Sequence, residues 1–267
     1  FMVSYGKKKE GVFMNTEQFT DLADAYAKGR PDYAEAMIDD LYARFAFSPD
    51  QRIADIGSGT GKLAAQLLKR GSIVFAVEPN KDMRESAEHA LGAIARFHSV
   101  CGSAEQTTLA DQSIDHITCA QAFHWFDPDA FRRECARILK PGGKIMLIWN
   151  VRDMNCSVNQ DCWNIYARFC PGFHGFQGGV CKDDPRIRHF FHDHYTRIAY
   201  VHPITFTQET FIQRCLSASY TLKPQDPHYD EFLSALKQVW DDHAQDGKLI
   251  QGNQSVLYAG TLSSRHI

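Results

Sequence analysis

Between residues 51 and 150, short apolar runs alternate with amphipathic stretches, and few folds accommodate that order. Arg52–Ile56, Ile73–Val77, Phe97–Cys101, Ile114–Ala120 and Lys144–Trp149 read as strands. Lys62–Lys69, Lys81–Leu91 and Asp129–Leu139 read as helices; in the last, Phe131, Cys135 and Ile138 fall at i, i+4 and i+7 on one face. Lys140-Pro141-Gly142-Gly143 stops that helix, because proline cannot continue it and glycine tolerates positive φ. Strands that are apolar almost throughout belong to a parallel sheet covered on both faces. Right-handed crossovers leave very few ways to connect them. The expected fold is α/β: Rossmann-like and doubly wound, a mainly parallel seven-stranded sheet with helices on both faces.

The flanks read less cleanly. Gln18–Phe45 is mostly helical, interrupted near Lys28-Gly29-Arg30-Pro31. Residues 151–195 are rich in Cys, His, Phe and Gly and show no clean period. A strand (Ile198–Phe206), two helices (Gln208–Leu216 and Tyr229–His243) and a last strand (Ser255–Leu262) follow. The expectation is one domain over 1–267. It comprises an N-terminal helical lid at 15–47, a cofactor-binding core at 51–150, a cap-like insertion at 151–196 and a part at 197–267 that completes the sheet.

The most informative string is Asp55-Ile56-Gly57-Ser58-Gly59-Thr60-Gly61-Lys62-Leu63, directly after the first strand and opening the first core helix. Alternating glycines let the backbone turn sharply and approach a ligand with no Cβ in the way. In an open parallel sheet this loop lies at the carboxyl ends of the strands, where ligands bind. A P-loop reading fails twice, since Ile56 stands where the first glycine belongs and Leu63 replaces the hydroxyl that binds magnesium. The dinucleotide fingerprint fails on spacing, because the third glycine comes one residue early, and Asp55 is an awkward neighbour for pyrophosphate. S-adenosylmethionine, a nucleoside with a cationic amino-acid tail and no phosphate, suits Asp55 better. Glu78, at the end of the second strand, is placed to accept from both ribose hydroxyls. Such an acid is common to nucleoside sites. The bland alternative is a tight strand–helix turn with no ligand.

Composition narrows the partners. The chain has 29 Lys+Arg against 32 Asp+Glu, a formal net charge of −3, which argues against a nucleic-acid binder relying on a strongly basic surface. Its longest apolar runs, Ile73–Val77 and Ile145–Trp149, are far shorter than the roughly 20 residues that span a bilayer, so no membrane partner is expected. The eight cysteines do not read as a disulfide framework; Cys101, Cys119 and Cys135 fall in apolar segments, where free Cys behaves as a small hydrophobe. With no secretory signal visible, a cytoplasmic location is expected. Cys156, Cys162, Cys170 and Cys181 lack the tight pairing usual for structural zinc, and of His189, His192 and His194 only the first two would share a helix face. No metal is expected.

These motifs resemble the class I S-adenosylmethionine-dependent methyltransferases, specifically the type 11 small-molecule group that includes trans-aconitate and quinone-biosynthesis methyltransferases. The strings carrying the likeness are DIGSGTGKL (55–63), VEPN (77–80), CGSAEQTTLADQSID (101–115) and CAQAFHWF (119–126) leading to ILKPGGK (138–144). The resemblance implies that Gly57, Ser58, Gly59 and Gly61 line the methionine and ribose portion of S-adenosyl-L-methionine. It implies that Glu78 holds the ribose and that Pro79, Asn80 and Met83 flank the adenine. Ser103, Ala104 and Glu105 would border the adenine edge, and Gln121 and Ala122 would reach the methionine end. Tyr26-Ala27-Lys28-Gly29-Arg30-Pro31 resembles a family segment whose Tyr and Arg, here Tyr26 and Arg30, lie over the donor's carboxylate.

Methyl transfer from a sulfonium is an in-line displacement that needs alignment and desolvation. A base is required only where the acceptor carries a proton. His124, after the fourth strand, is the candidate base; its alternative role is packing beside Trp125 and Phe126. The aromatics Trp163, Tyr166, Phe169, Phe173 and Phe176 read either as walls of an acceptor pocket or as a satellite core or dimer contact. Ser217-Ala218-Ser219-Tyr220 resembles a family stretch near the acceptor. The expected partner is a small-molecule acceptor, the assembly a monomer or homodimer. The competing functions are an NAD(P)-dependent oxidoreductase and a noncatalytic nucleoside-binding protein.

Overall fold

The structure, a computed structural model, describes residues 31–176, 184–218 and 220–262. After helix α1 (Glu35–Ala43) come β1 (Arg52–Ile56), α2 (Lys62–Lys69), β2 (Ile73–Val77), α3 (Lys81–Leu91), β3 (Phe97–Val100) and β4 (Ile114–Ala120). A single 3-10 turn (Phe123–Trp125) leads into α4 (Pro128–Ile138), β5 (Leu139–Arg152), α5 (Ser157–Phe169) and α6 (Pro185–Phe191). The rest is β6 (Tyr195–Val201), β7 (Ile204–Phe206), α7 (Gln208–Leu216), α8 (Tyr229–His243), β8 (Leu249–Gln251) and β9 (Asn253–Gly260).

The main sheet has seven strands in the order β3-β2-β1-β4-β5-β9-β6, parallel from β3 through β5. β9 runs antiparallel to both of its neighbours. Strand order reverses between β1 and β4, so the loops after them flank the crevice that such sheets open to ligands. Side chains alternate across the sheet, as strand geometry requires. Ala54, Ile56, Ile117, Leu147 and Trp149 pack with Phe131 and Cys135 of α4 and Phe190 of α6. Ile53, Val74, Met146 and Ile148 face Met37 of α1, Leu63 and Leu67 of α2 and Ala87 of α3. The sheet is covered on both faces, as the apolar strands require.

A third cluster joins α5 (Val158, Cys162, Tyr166), α7 (Phe211, Cys215) and α8 (Phe232, Leu236) over the small β7–β8 sheet. Chain enters it from the end of β5 and the end of β6 and leaves it into β9, all at one edge of the main sheet. Asn159, fully buried, donates to the carbonyls of Asp153 at 2.8 Å and Gly252 at 2.7 Å and so fastens α5 to that edge.

Several boundaries differ from the sequence expectation for local reasons. β5 begins at Leu139 rather than Lys144, carrying Lys140–Gly143 as an irregularity in its pairing with β4; Gly142 takes φ +82° there. The single strand expected over Ile198–Phe206 is two, β6 and β7, in different sheets, with Pro203 between them and no N–H to donate. α4 starts one residue earlier than expected, with Asp127 capping it through N–H bonds from Asp129 and Ala130 and Pro128 in its first turn. β3 stops at Val100, and Cys101 is exposed rather than packed among apolar neighbours. Among the described residues no helix is long and apolar enough to cross a membrane.

Candidate functional site

β1 delivers the chain to the sheet's carboxyl edge, and the glycines there turn it into α2. Gly57, Gly59 and Gly61 take φ of +67°, +56° and +80°, values that L side chains adopt only under strain. The turn is pinned to β2, since the Gly57 and Ser58 N–H groups donate to the Val77 carbonyl at 2.9 and 3.2 Å. A Cβ on Gly57 would lie 2.6 Å from the Ala122 Cβ and 3.1 Å from the Phe126 ring, so the loops after β1 and β4 close directly on each other. At Gly59 nothing lies within 4 Å of that position: this side of the loop is open.

Two acids stand against this loop. Glu78 is buried, with Oε2 accepting from the Gly59 N–H and Oε1 from the Asn80 N–H, each at 2.9 Å. Burial pushes its carboxyl up, against the pull of those two N–H groups. Asp55 is 1% exposed; its Oδ1 accepts from the Thr118 hydroxyl at 2.8 Å, and its Oδ2 is buried with no hydrogen-bond partner. Burial pushes the Asp55 carboxyl up to about 7, and neighbouring Glu78 adds to the rise. Asp55, read from sequence as a standing negative charge, therefore ionises near neutrality. Ser58 Oγ is likewise buried without a partner.

The next loop continues the same rim. Asn80 caps α3 by accepting from the Met83 N–H at 3.0 Å, and Met83 is buried. Arg84 donates to the carbonyls of Glu78 at 3.0 Å and Pro79 at 3.3 Å, holding the turn rigid. After β3, the Ser103 N–H donates to the Gln106 carbonyl at 3.1 Å, while Ala104 is buried in the same core cluster as Ala122. Glu105 accepts from the Asp127 N–H at 3.2 Å, tying this loop to the one after β4.

Gln121 has φ +56°, a conformation non-glycine residues keep only where surroundings impose it. Its N–H reaches the Ile148 carbonyl at 2.9 Å and its Nε2 the Asn150 carbonyl at 3.1 Å. His124 sits in the 3-10 turn with its ring 4.8 Å from Trp125, and its carbonyl accepts from Arg186 at 3.3 Å. Arg186 is in turn held by Asp184 at 2.6 Å. Tyr26 and Arg30 lie outside the described residues. Just after them, Asn150 Nδ2 donates to the Asp32 carbonyl at 2.9 Å, which fastens the chain entering α1 to the carboxyl end of β5.

Sequence reading missed Thr118, Phe126 and Asn150. Thr118 stands opposite Asp55 in the β1–β4 register, so only the pairing of distant strands reveals it. Among the described residues no group of three or more His, Cys, Asp or Glu side chains could hold a metal ion. Cys181 of the expected insertion lies outside the described residues.

The crevice fits a cationic, phosphate-free nucleoside in three respects: an open glycine face, two buried acids and two unsatisfied buried oxygens, Asp55 Oδ2 and Ser58 Oγ. The comparisons with known proteins agree in direction. Residues 54–147 match the family profile described as "Methyltransferase domain". An uncharacterized methyltransferase of Mycobacterium bovis is 41% identical over 135 residues, 51% of this chain and 53% of that protein. The chain thus spans about half the length of the relatives it first matches. A putative type II methyltransferase from Anaeromyxobacter dehalogenans shares the fold with TM-score 0.63 and 21% identity, over 87% of this chain and 98% of that one. The Haemonchus contortus "Phospholethanolamine N-methyltransferase 2", whose structure holds phosphomonomethylethanolamine and S-adenosylhomocysteine, aligns with TM-score 0.53 and 19% identity over 94% of this chain and 59% of its own. Residues 54–147 thus match the model of the type 11 methyltransferase-domain family, and the doubly wound sheet is the fold that these neighbours share.

Proposed function

We propose that the protein transfers a methyl group from S-adenosyl-L-methionine to a small organic acceptor. The observation that carries this reading is the pair of buried acids, Asp55 and Glu78, on a glycine loop whose Asp55 Oδ2 has no partner. Asp55 at the start of the loop opposes a pyrophosphate and favours a ligand carrying ammonium and sulfonium charge, while Glu78 suits the ribose of any nucleoside. When bound, the donor supplies an electrophilic methyl group on its sulfonium.

The chain's own residues would do the rest. Gly57, Ser58, Gly59 and Gly61 approach the ligand through backbone. Glu78, with one oxygen on each of two N–H groups, keeps lone pairs for ribose hydroxyls. Pro79, Asn80 and Met83 flank one side of the base, and Ser103, Ala104 and Glu105 border its edge. Gln121 and Ala122 reach the methionine end, and Tyr26 and Arg30 cover its carboxylate. His124 takes the acceptor's proton where the acceptor carries one. A cytoplasmic location is supported by the free cysteines among the described residues. The test is a methyl-transfer screen over metabolite carboxylates, phenols and amines with mass-spectrometric detection. A gain of one methyl mass on a panel member, dependent on added donor, is the expected result; none across the panel contradicts the reading.

A further inference from the structure

Residues 31–34 run into α1 without regular secondary structure, yet side chains from distant elements hold most of their backbone groups. Gln66 of α2 spans Tyr33, accepting from its N–H at 3.0 Å and donating to its carbonyl at 2.8 Å. The Ser255 hydroxyl of β9 accepts from the Ala34 N–H at 2.9 Å. His202, just beyond β6, meets the Asp32 carbonyl at 2.9 Å. Asn150 of β5 donates from Nδ2 to that same carbonyl at 2.9 Å and to the Pro31 carbonyl at 3.4 Å. Its Oδ1 accepts from the Ser255 hydroxyl at 2.6 Å. Ser255 already accepts from Ala34 and so has its proton for Asn150, which turns Nδ2 toward the two carbonyls. Gln66 and Ser255 are buried. A surface loop ordinarily gives its backbone groups to water; this stretch is instead clasped to the carboxyl edge of the sheet by interior side chains.

Asn150 serves the neighbouring loop as well. Its carbonyl accepts from Gln121 Nε2 at 3.1 Å, next to the bond from the Gln121 N–H to the Ile148 carbonyl at 2.9 Å. In a parallel ladder the bond after Gln121 to Ile148 would run from the Phe123 N–H to the Asn150 carbonyl. The Gln121 side-chain amide takes that place, so the chain leaves the sheet early, with φ +56° at Gln121. With Nε2 committed to the strand, the atom this amide leaves to a ligand is its oxygen, the polarity that an ammonium group requires.

We infer that Asn150 is a positioning residue for the methyl donor: its carbonyl sets Gln121, and its side chain sets the Pro31–Asp32 backbone, as two walls of the space for the donor's amino-acid end. The assignment rests on the proposed function, which puts Gln121 at that end. It adds a residue that acts on the donor through the groups it holds.

Calorimetry on the intact protein with S-adenosylhomocysteine and with methylthioadenosine tests it, since the second compound keeps the nucleoside and thioether but lacks the amino-acid end. Asn150→Ala is expected to weaken S-adenosylhomocysteine about tenfold, the scale of one hydrogen bond lost in a buried site, and to leave methylthioadenosine within about twofold. Ser255→Ala removes the hydroxyl that orients the amide and is expected to show the same selectivity with a loss of about threefold. That variant carries the test if Asn150→Ala does not fold. Equal weakening of both ligands by either variant, or S-adenosylhomocysteine affinity unchanged in both, overturns the proposal and leaves Asn150 as a residue that only stabilises the fold. Wild type that binds neither compound contradicts the donor reading and the positioning role together.

Discussion

Gly57 meets two demands at once, a positive φ and a close approach, whereas Gly59 meets only the first. Gly57→Ala is expected to lower stability by about 2–4 kcal/mol, combining backbone strain with collision against Ala122, while Gly59→Ala costs about 1–2 kcal/mol. Urea unfolding of both variants checks the difference. Asp55 makes a pH prediction. Its folded pKa of about 7 stands above an unfolded value of about 4, so the folded state holds a proton that the unfolded state has released between those values. The stability this carboxyl contributes is full below about pH 4 and is lost as pH rises to about 7. Asp55→Asn should flatten that slope in unfolding curves taken between pH 5 and 8, and an unchanged slope would assign it elsewhere. For His124, replacement by Asn should leave S-adenosylhomocysteine binding intact and reduce turnover by roughly a hundredfold or more with an acceptor that must lose a proton. Undiminished turnover would make it a packing residue. The glycines and Glu78 were legible because local order alone defines the turn. The state of Asp55 was not, since the burial that raises its carboxyl comes from the pairing of strands far apart in the chain, against which the Thr118 hydroxyl on β4 pulls the other way.

At the level of elements, helix starts carry readable chemistry. Thr207 and Thr210 cap α7 reciprocally, Thr207 accepting from the Thr210 N–H at 3.3 Å and Thr210 from the Thr207 N–H at 2.9 Å. Thr207→Ala should cost about 1 kcal/mol by thermal or urea unfolding. Core strands and helices such as β1, α2, β2 and α3 were legible to the residue, because a short apolar run or an amphipathic period leaves no rival assignment. β5 was not, since its Pro-Gly-Gly looks like a break but is absorbed as an irregularity in a paired strand. α5 hid in a segment of mixed Cys, Asn and aromatic composition, although Val158, Cys162 and Tyr166 stand four residues apart on its buried face. That spacing was the available signal.

For the molecule as a whole, the doubly wound topology follows from pattern, whereas the cluster of α5, α7, α8 and the β7–β8 sheet does not. Its parts come from both sides of β6, and nothing local marks them as partners. That assembly stands at the carboxyl edge of β5 and brings Tyr166, Cys215 and Phe176 around Arg152. The glycine-loop crevice is therefore a product of the regular sheet, and the aromatic cluster around Arg152 a product of the irregular part of the chain. The central claim concerns the first. Titration calorimetry of the intact protein with S-adenosylmethionine, S-adenosylhomocysteine and NAD tests it most directly. The account predicts saturable isotherms with both adenosyl compounds, weakened by Gly57→Ala, and none with NAD. Binding of NAD alone, with no heat from either adenosyl compound, would contradict it.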